Sequence, residues 1–195
     1  MQNTVENYFK IAAQVALETV VSEGSGDEMS LGDGFSQFLE TASSAHEAEN
    51  TLRFVGNGGS AGIASHMAVD FAKRAGIRAN AFNDAPMLTC LGNDLGYEQV
   101  FAHQVQMHTR PGDILVAISS SGCSENILNA CNAAKANGGR VVTFSGFEAD
   151  NPLRGLGDLN FYVRSFEYGF VELTHMGLLG AAVDIFIGRP IVPQA

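Results

Sequence analysis

Two short polar runs, Gly56-Asn57-Gly58-Gly59-Ser60 and Ser119-Ser120-Ser121-Gly122-Cys123-Ser124, each follow an apolar strand-like segment and each lead into a helix-like one. The segments before them are Leu52-Arg53-Phe54-Val55 and Ile114-Leu115-Val116-Ala117-Ile118, short runs suited to parallel strands. A strand, a polar turn and a helix in succession form the repeating unit of an open α/β sheet, whose ligands bind at the carboxyl ends of the strands.

The rest of the chain obeys the same alternation. Strands are expected at 51–55, 78–82, 114–118, 140–145 and 158–163, with helices at 60–74, about 97–108, 124–136 and 168–187. That order implies a parallel sheet with helices on both faces. Ahead of it, Val5, Tyr8, Ile11, Ala12, Val15, Ala16 and Val20 fall at helical spacing and predict an amphipathic helix over 4–22. Ser22–Asp27 breaks that helix, and a second covers 34–48. No repeat or linker divides the chain, so one domain is expected over 1–195, with N-terminal helices in 1–50 and an αβα core in 51–187.

Composition narrows the function. The net charge is −10 and no segment gathers several Lys or Arg, which argues against a direct nucleic-acid partner. No stretch is expected to span a membrane, and the first residues lack the basic and apolar regions of a signal peptide, so a cytoplasmic location is expected. Cys90, Cys123 and Cys131 are odd in number and lack metal-type spacing, as reduced thiols would be. The final helix, rich in Leu, Ala, Val and Ile, is expected to be buried in the domain or between subunits.

The two runs suit an anionic ligand. A glycine turn lets backbone approach a phosphate, and the first amides of the following helix are unpaired and carry the positive end of its dipole. Four hydroxyls stand in the six residues from Ser119 to Ser124. Neither run contains the lysine of a nucleotide P-loop, and the first lacks clean Gly-x-Gly-x-x-Gly spacing, so no nucleotide cofactor is expected. Two strand-to-helix turns with serine caps would show the same residues for structural reasons alone. His66, Asp70 and Arg74 share one face of the helix after the first run, either as an ion-paired surface or as functional groups beside a ligand. Glu172 and His175 share a face of the last helix, as a satisfied core pair or as part of an acid/base or zinc-binding set with His66 and Asp70. Asn93 and Asp94 are expected in a loop before the helix at 97.

In order along the chain, Val55-Gly56-Asn57-Gly58-Gly59-Ser60-Ala61 with His66, then Gly92-Asn93-Asp94-x-Gly96-Tyr97, then Pro111-Gly112-Asp113-x-Leu115-x-x-Ile118-Ser119-Ser120-Ser121-Gly122 resemble the sugar isomerase (SIS) domain family, on its phosphoheptose isomerase branch. The resemblance implies a three-layer αβα sandwich with a five-stranded parallel, flavodoxin-like sheet, assembled as a homotetramer with sites between subunits. It implies a phosphorylated sugar as ligand and an aldose–ketose isomerisation through an enediol, sedoheptulose 7-phosphate giving glycero-manno-heptose 7-phosphate. Ser119, Ser120, Ser121 and Ser124 would hold the phosphate. Asn57, Gly58, Gly59, Ser60, Arg74, Asn93, Asp94 and Glu172 would contact the substrate. Asp70, one methylene shorter than the family's usual Glu, would be the base, with His66, Glu172 and His175 holding zinc with it or sharing the acid role. Gly180 stands where the family has a catalytic or metal-binding His. That departure leaves a second implied role, a non-catalytic phosphosugar-binding or protein-binding scaffold of the replication-initiator-associated type.

Overall fold

The computed structural model describes residues 2–189, so residue 1 and residues 190–195 of the expected single domain lie outside the described residues. In chain order the elements are α1 (Gln2–Leu17), β1 (Val20–Glu23), β2 (Glu28–Met29), α2 (Leu31–Glu47), β3 (Leu52–Gly56), α3 (Gly59–Lys73), β4 (Ala79–Ala81) and α4 (Ala85–Asp94). They continue with α5 (Ala102–His108), β5 (Ile114–Ser119), α6 (Glu125–Ala136), β6 (Arg140–Ser145), β7 (Leu159–Tyr162) and α7 (Tyr168–Phe186).

The sheet order is β2-β1-β7-β6-β5-β3-β4. The five strands from β3 to β7 are parallel and adopt the flavodoxin-like arrangement, in which the strand order reverses between β3 and β5. The expected five parallel strands are present, but the sheet has seven, because β1 joins β7 antiparallel and β2 pairs with β1. Helical spacing had absorbed Val20 into the first helix, whereas the β-branched pair Val20-Val21 and the turn through Gly26, at φ +93°, make a hairpin that covers the β7 edge. Val21 is fully buried there.

A second departure is α4, where no helix was expected. Asp84 caps it, accepting a bond from the Met87 N–H at 3.2 Å, and a proline lies in its first turn. The expected helix over about 97–108 is a short 3-10 turn, Tyr97–Gln99, followed by α5.

Alternation along the strands sorts the core into two layers. On one face Phe54, Ile114, Val116, Ile118, Phe144 and Phe161 pack under α2, α3 and α7, with Phe38, Met67, Phe71 and Leu179 reaching down to meet them. On the other, Val55, Leu115, Ala117 and Val141 pack against Val105, Ile127, Ala130 and Cys131 from α5 and α6. At the amino ends of the strands, the buried Asp113 carboxylate accepts bonds from the Thr51 N–H at 2.8 Å, the Arg110 N–H at 2.9 Å and the Arg53 guanidinium at 3.1 Å.

By length and composition α7 is apolar enough to cross a membrane, contrary to the expectation that no segment would be. Here it is the helix of a packed core, with Val171, His175, Leu179 and Val183 buried. Helix α1 lies along α7, Tyr8 packing on Phe170 with ring centroids 4.7 Å apart. Its Phe9 and Leu17 remain exposed, and an apolar groove of about 790 Å³ runs between α1, α2 and α7.

Phe144 stacks on Phe161 at 4.8 Å and meets Phe38 edge-on at 6.4 Å, all three under 2% exposed. Phe144→Ala is expected to cost about 3–5 kcal/mol, measured as a lowered urea midpoint with unchanged slope.

Candidate active site

The strand reversal places the carboxyl ends of β3 and β5 side by side, Gly56 opposite Ile118. Both polar runs therefore meet at one point, and they enclose a cavity of about 120 Å³. Asn57, Ser60, Ser119, Ser120, Ser121, Ser124, Tyr168 and Glu172 line it, with no lysine or arginine among them.

The glycine run turns because it must. A Cβ on Gly56 would lie 2.5 Å from the Ser60 carbonyl oxygen, and Gly58 takes φ +52° to start α3 without a side-chain cap. What occupies the end of α3 comes from α7. A Cβ on Gly59 would collide with both carboxylate oxygens of Glu172, so this side chain lies against the first residue of α3, where helix amides point outward. The Glu172 carboxylate therefore borders the glycine run, while the serine run faces the cavity with its hydroxyls.

The serine run keeps its anion position open. Ser119 Oγ accepts from the Gly122 N–H at 3.2 Å and Ser121 Oγ from the Cys123 N–H at 3.3 Å, which shapes the loop. Gly122 adopts φ +64° with Asn151 in the space that a Cβ would need. Ser124 begins α6 without a side-chain capping bond. Ser120 Oγ is buried with no hydrogen-bond partner among the described residues, a cost normally offset by a ligand or a water. Hydroxyls, amides and a helix dipole thus converge without a fixed positive side chain, an arrangement suited to a phosphate ester.

Asn57 joins the two runs. Its amide exchanges paired hydrogen bonds with Asn126 of α6, both at 2.9 Å, and the Tyr97 hydroxyl donates to Asn57 Oδ1 at 3.1 Å. Asn126 and Tyr168 were not singled out in the sequence. A buried Asn at a core position of α6 was a readable signal, but nothing local marks Tyr168, an exposed residue brought to the cavity by the start of α7.

Other expected site residues lie elsewhere. Asp70 Oδ2 sits 3.1 Å from Arg74 and 3.7 Å from His66, and Arg74 also pairs with Asp184 of α7. Its two carboxylate partners raise the Arg74 pKa above its ordinary value. Asp70 follows Gly59 by three turns, about 16 Å along α3, so it does not line the cavity within this chain. Asn93 and Asp94 end α4 rather than occupying a loop, and bond to each other at 2.8 Å on an exposed surface. A Cβ on Gly180 would meet nothing within 4 Å.

His175 is corrected from site to core. It is fully buried, its Nε2 lies 3.1 Å from the Ser145 carbonyl oxygen, and Phe144 packs against it edge-on. Burial pushes its imidazole down to about 4, leaving a neutral ring whose Nε2–H donates to Ser145. The expected zinc set of His66, Asp70, Glu172 and His175 therefore does not fit in one chain. Among the described residues no three His, Cys, Asp or Glu side chains converge on a metal position.

A buried neutral histidine links stability to pH. Below about 6.5 the unfolded chain takes up a proton that the native ring refuses until about pH 4, so stability falls with pH across that window, by about 1.4 kcal/mol per unit. His175→Gln should flatten this dependence, read as a smaller difference in Tm between neutral and mildly acidic buffer.

Comparison with known proteins agrees with this geometry. The SIS domain model matches residues 30–146. The chain is 40% identical over 118 residues to a phosphoheptose isomerase of Histophilus somni, covering 58% of this chain and 60% of that relative, and so spans less than two thirds of its length. With a phosphoheptose isomerase of Citrifermentans bemidjiense the identity is 30% over 147 residues, covering 72% of this chain and 76% of the relative. The solved phosphoheptose isomerase of Neisseria gonorrhoeae superposes with a TM-score of 0.81 at 26% identity, over 96% of this chain and 98% of that one. Motif order, strand order and these matches agree: the chain belongs to the SIS domain family.

Proposed function

We propose that this protein is an aldose–ketose isomerase acting on a phosphorylated sugar, with sedoheptulose 7-phosphate and glycero-manno-heptose 7-phosphate as its pair. The carrying observation is the serine-run cavity at the strand reversal, with the unpartnered Ser120 hydroxyl and the uncapped start of α6 facing it. The likeness to phosphoheptose isomerases supports the choice of sugar.

The phosphate is held by the hydroxyls of Ser119, Ser120, Ser121 and Ser124 and by amides at the start of α6. The sugar extends past Asn57, whose orientation is fixed by Asn126 and Tyr97. In the reaction the C1–H bond of the ketose breaks and its electron pair forms the C1–C2 double bond. The carbonyl oxygen on C2 takes up a proton to give the enediol. Protonation at C2 and loss of the O1 proton complete the aldose, so no oxidant or reductant is consumed.

A homo-oligomer, a tetramer by the family resemblance, belongs to the same proposal. It is supported by the apolar groove between α1, α2 and α7 and by the exposed Phe9 and Leu17 beside it. A cytoplasmic location fits three cysteines that are all free thiols.

Sedoheptulose 7-phosphate in deuterated water should acquire label at C1 or C2 and yield aldose, followed by NMR. Binding without label uptake would instead support the scaffold role. Ser120→Ala removes one phosphate hydroxyl and should weaken sugar-phosphate affinity about tenfold by calorimetry. For the oligomer, Leu17→Glu should shift the mass measured by light scattering toward the monomer.

A further inference from the structure

We propose that the Tyr168 ring, set in place by Phe147, makes the site select a phosphate ester over free phosphate by packing on the carbon atoms next to the ester; this rests on the phosphosugar reading above. The serine run cannot make that distinction. Its hydroxyls and the amides at the start of α6 bind phosphate oxygens, which inorganic phosphate offers equally. The cavity holds about 120 Å³, small beside an ordinary small-molecule pocket, so the carbon chain of a ligand leaves through its mouth. Ser119 and Ser120, both 5% exposed, form its depth, and Tyr168, 62% exposed, stands where it opens. The other lining side chains are amides, hydroxyls and a carboxylate, so Tyr168 alone among them offers an apolar surface to C–H groups.

A strained residue backs the ring. Phe147 takes φ +57°, a left-handed backbone that bulky side chains rarely adopt and that persists where the surroundings enforce it. It is pinned from both sides, its N–H donating to the Ser165 carbonyl at 3.0 Å and its carbonyl accepting from the Tyr162 hydroxyl at 2.7 Å. In that conformation its ring meets Tyr168 edge-on, centroids 4.9 Å apart, and stacks with Phe166 at 6.0 Å. The same loop runs along the serine run. A Cβ on Gly146 would lie 3.0 Å from the Ser120 carbonyl oxygen, and Asn151 fills the space beside Gly122. Phosphate cradle and aromatic wall are therefore set by one segment. Tyr168 and Glu172 share a face of α7, one turn apart, so the ring and the carboxylate flank the same opening. Packing against sugar C–H groups buries apolar area without a hydrogen bond, so the ring and not its hydroxyl carries the selection. Phe147 acts through Tyr168, as a positioning residue.

The test measures affinity for sedoheptulose 7-phosphate and for inorganic phosphate by calorimetry in the full chain, with Tm and mass by light scattering as controls of folding and assembly. The unaltered protein should bind the ester more tightly than the free anion. Tyr168→Ala should weaken ester binding about tenfold and inorganic phosphate binding less than about threefold. Tyr168→Phe keeps the ring and should hold ester affinity within about twofold of the unaltered protein. Phe147→Gly suits the left-handed backbone; it should weaken the ester about threefold, leave inorganic phosphate unchanged and lower Tm less than Phe144→Ala does. Equal affinity of the unaltered protein for both ligands overturns the proposal and leaves the phosphosugar site standing. So does a Tyr168→Ala effect that is absent or equal for the two ligands. A matching loss in Tyr168→Phe assigns the effect to the hydroxyl, and a changed mass in Tyr168→Ala assigns the ring to a subunit contact; either overturns the proposal. Failure of the unaltered protein to bind either ligand overturns the phosphosugar reading itself, and the selection with it.

Discussion

The register of β3 against β5 is fixed by Asp113, and the functional end of the molecule depends on that register. One buried carboxylate accepts from two backbone amides and a guanidinium, tying the starts of two adjacent parallel strands together. A charge buried at 2% exposure persists only when its lone pairs are satisfied, so the strand starts are held to one alignment. About 20 Å away, at the opposite end of a six-residue strand, the same alignment sets Gly56 beside Ile118 and brings the two polar runs together.

The site that results is asymmetric although its two halves look alike. Two helices begin there, each offering unpaired amides. The α3 terminus receives the protein's own Glu172, while the α6 terminus is ringed by serine hydroxyls and carries no built-in anion. A carboxylate beside one helix start and open serine hydroxyls around the other leave an anion one position to enter, at the start of α6.

Helix α7 connects these features. It runs beside α3 in the same direction, with Glu172 near Gly59 at one end and Asp184 paired to Arg74 at the other. Between them His175 descends into the core to bond the end of β6. One helix thereby supplies a cavity carboxylate, a buried neutral anchor and an ion-pair clamp. Its apolar residues pack on α1, α2 and α3.

The sequence by itself determined the αβα frame, the two polar runs and the serine cradle, because buried parallel strands and turn glycines leave local patterns that periodicity and residue type can read. Asn57, Ser60 and the four serines are adjacent to those turns, so their convergence followed once the strands were placed. The β1–β2 hairpin was obscured because Val20 also fits a helical spacing, and only pairing with the β7 edge decided between the two. The tertiary structure alone decided the fate of the distant side chains. His66, Asp70, Glu172 and His175 formed a plausible set by helix faces, but face tells nothing of depth or of which neighbour arrives. Packing buried His175, Asp184 of α7 joined the Asp70–Arg74 pair that helical spacing already offered, and the side-by-side course of α3 and α7 brought Glu172 to Gly59, since contacts between residues more than a hundred positions apart are fixed by how helices dock and not by spacing along the chain.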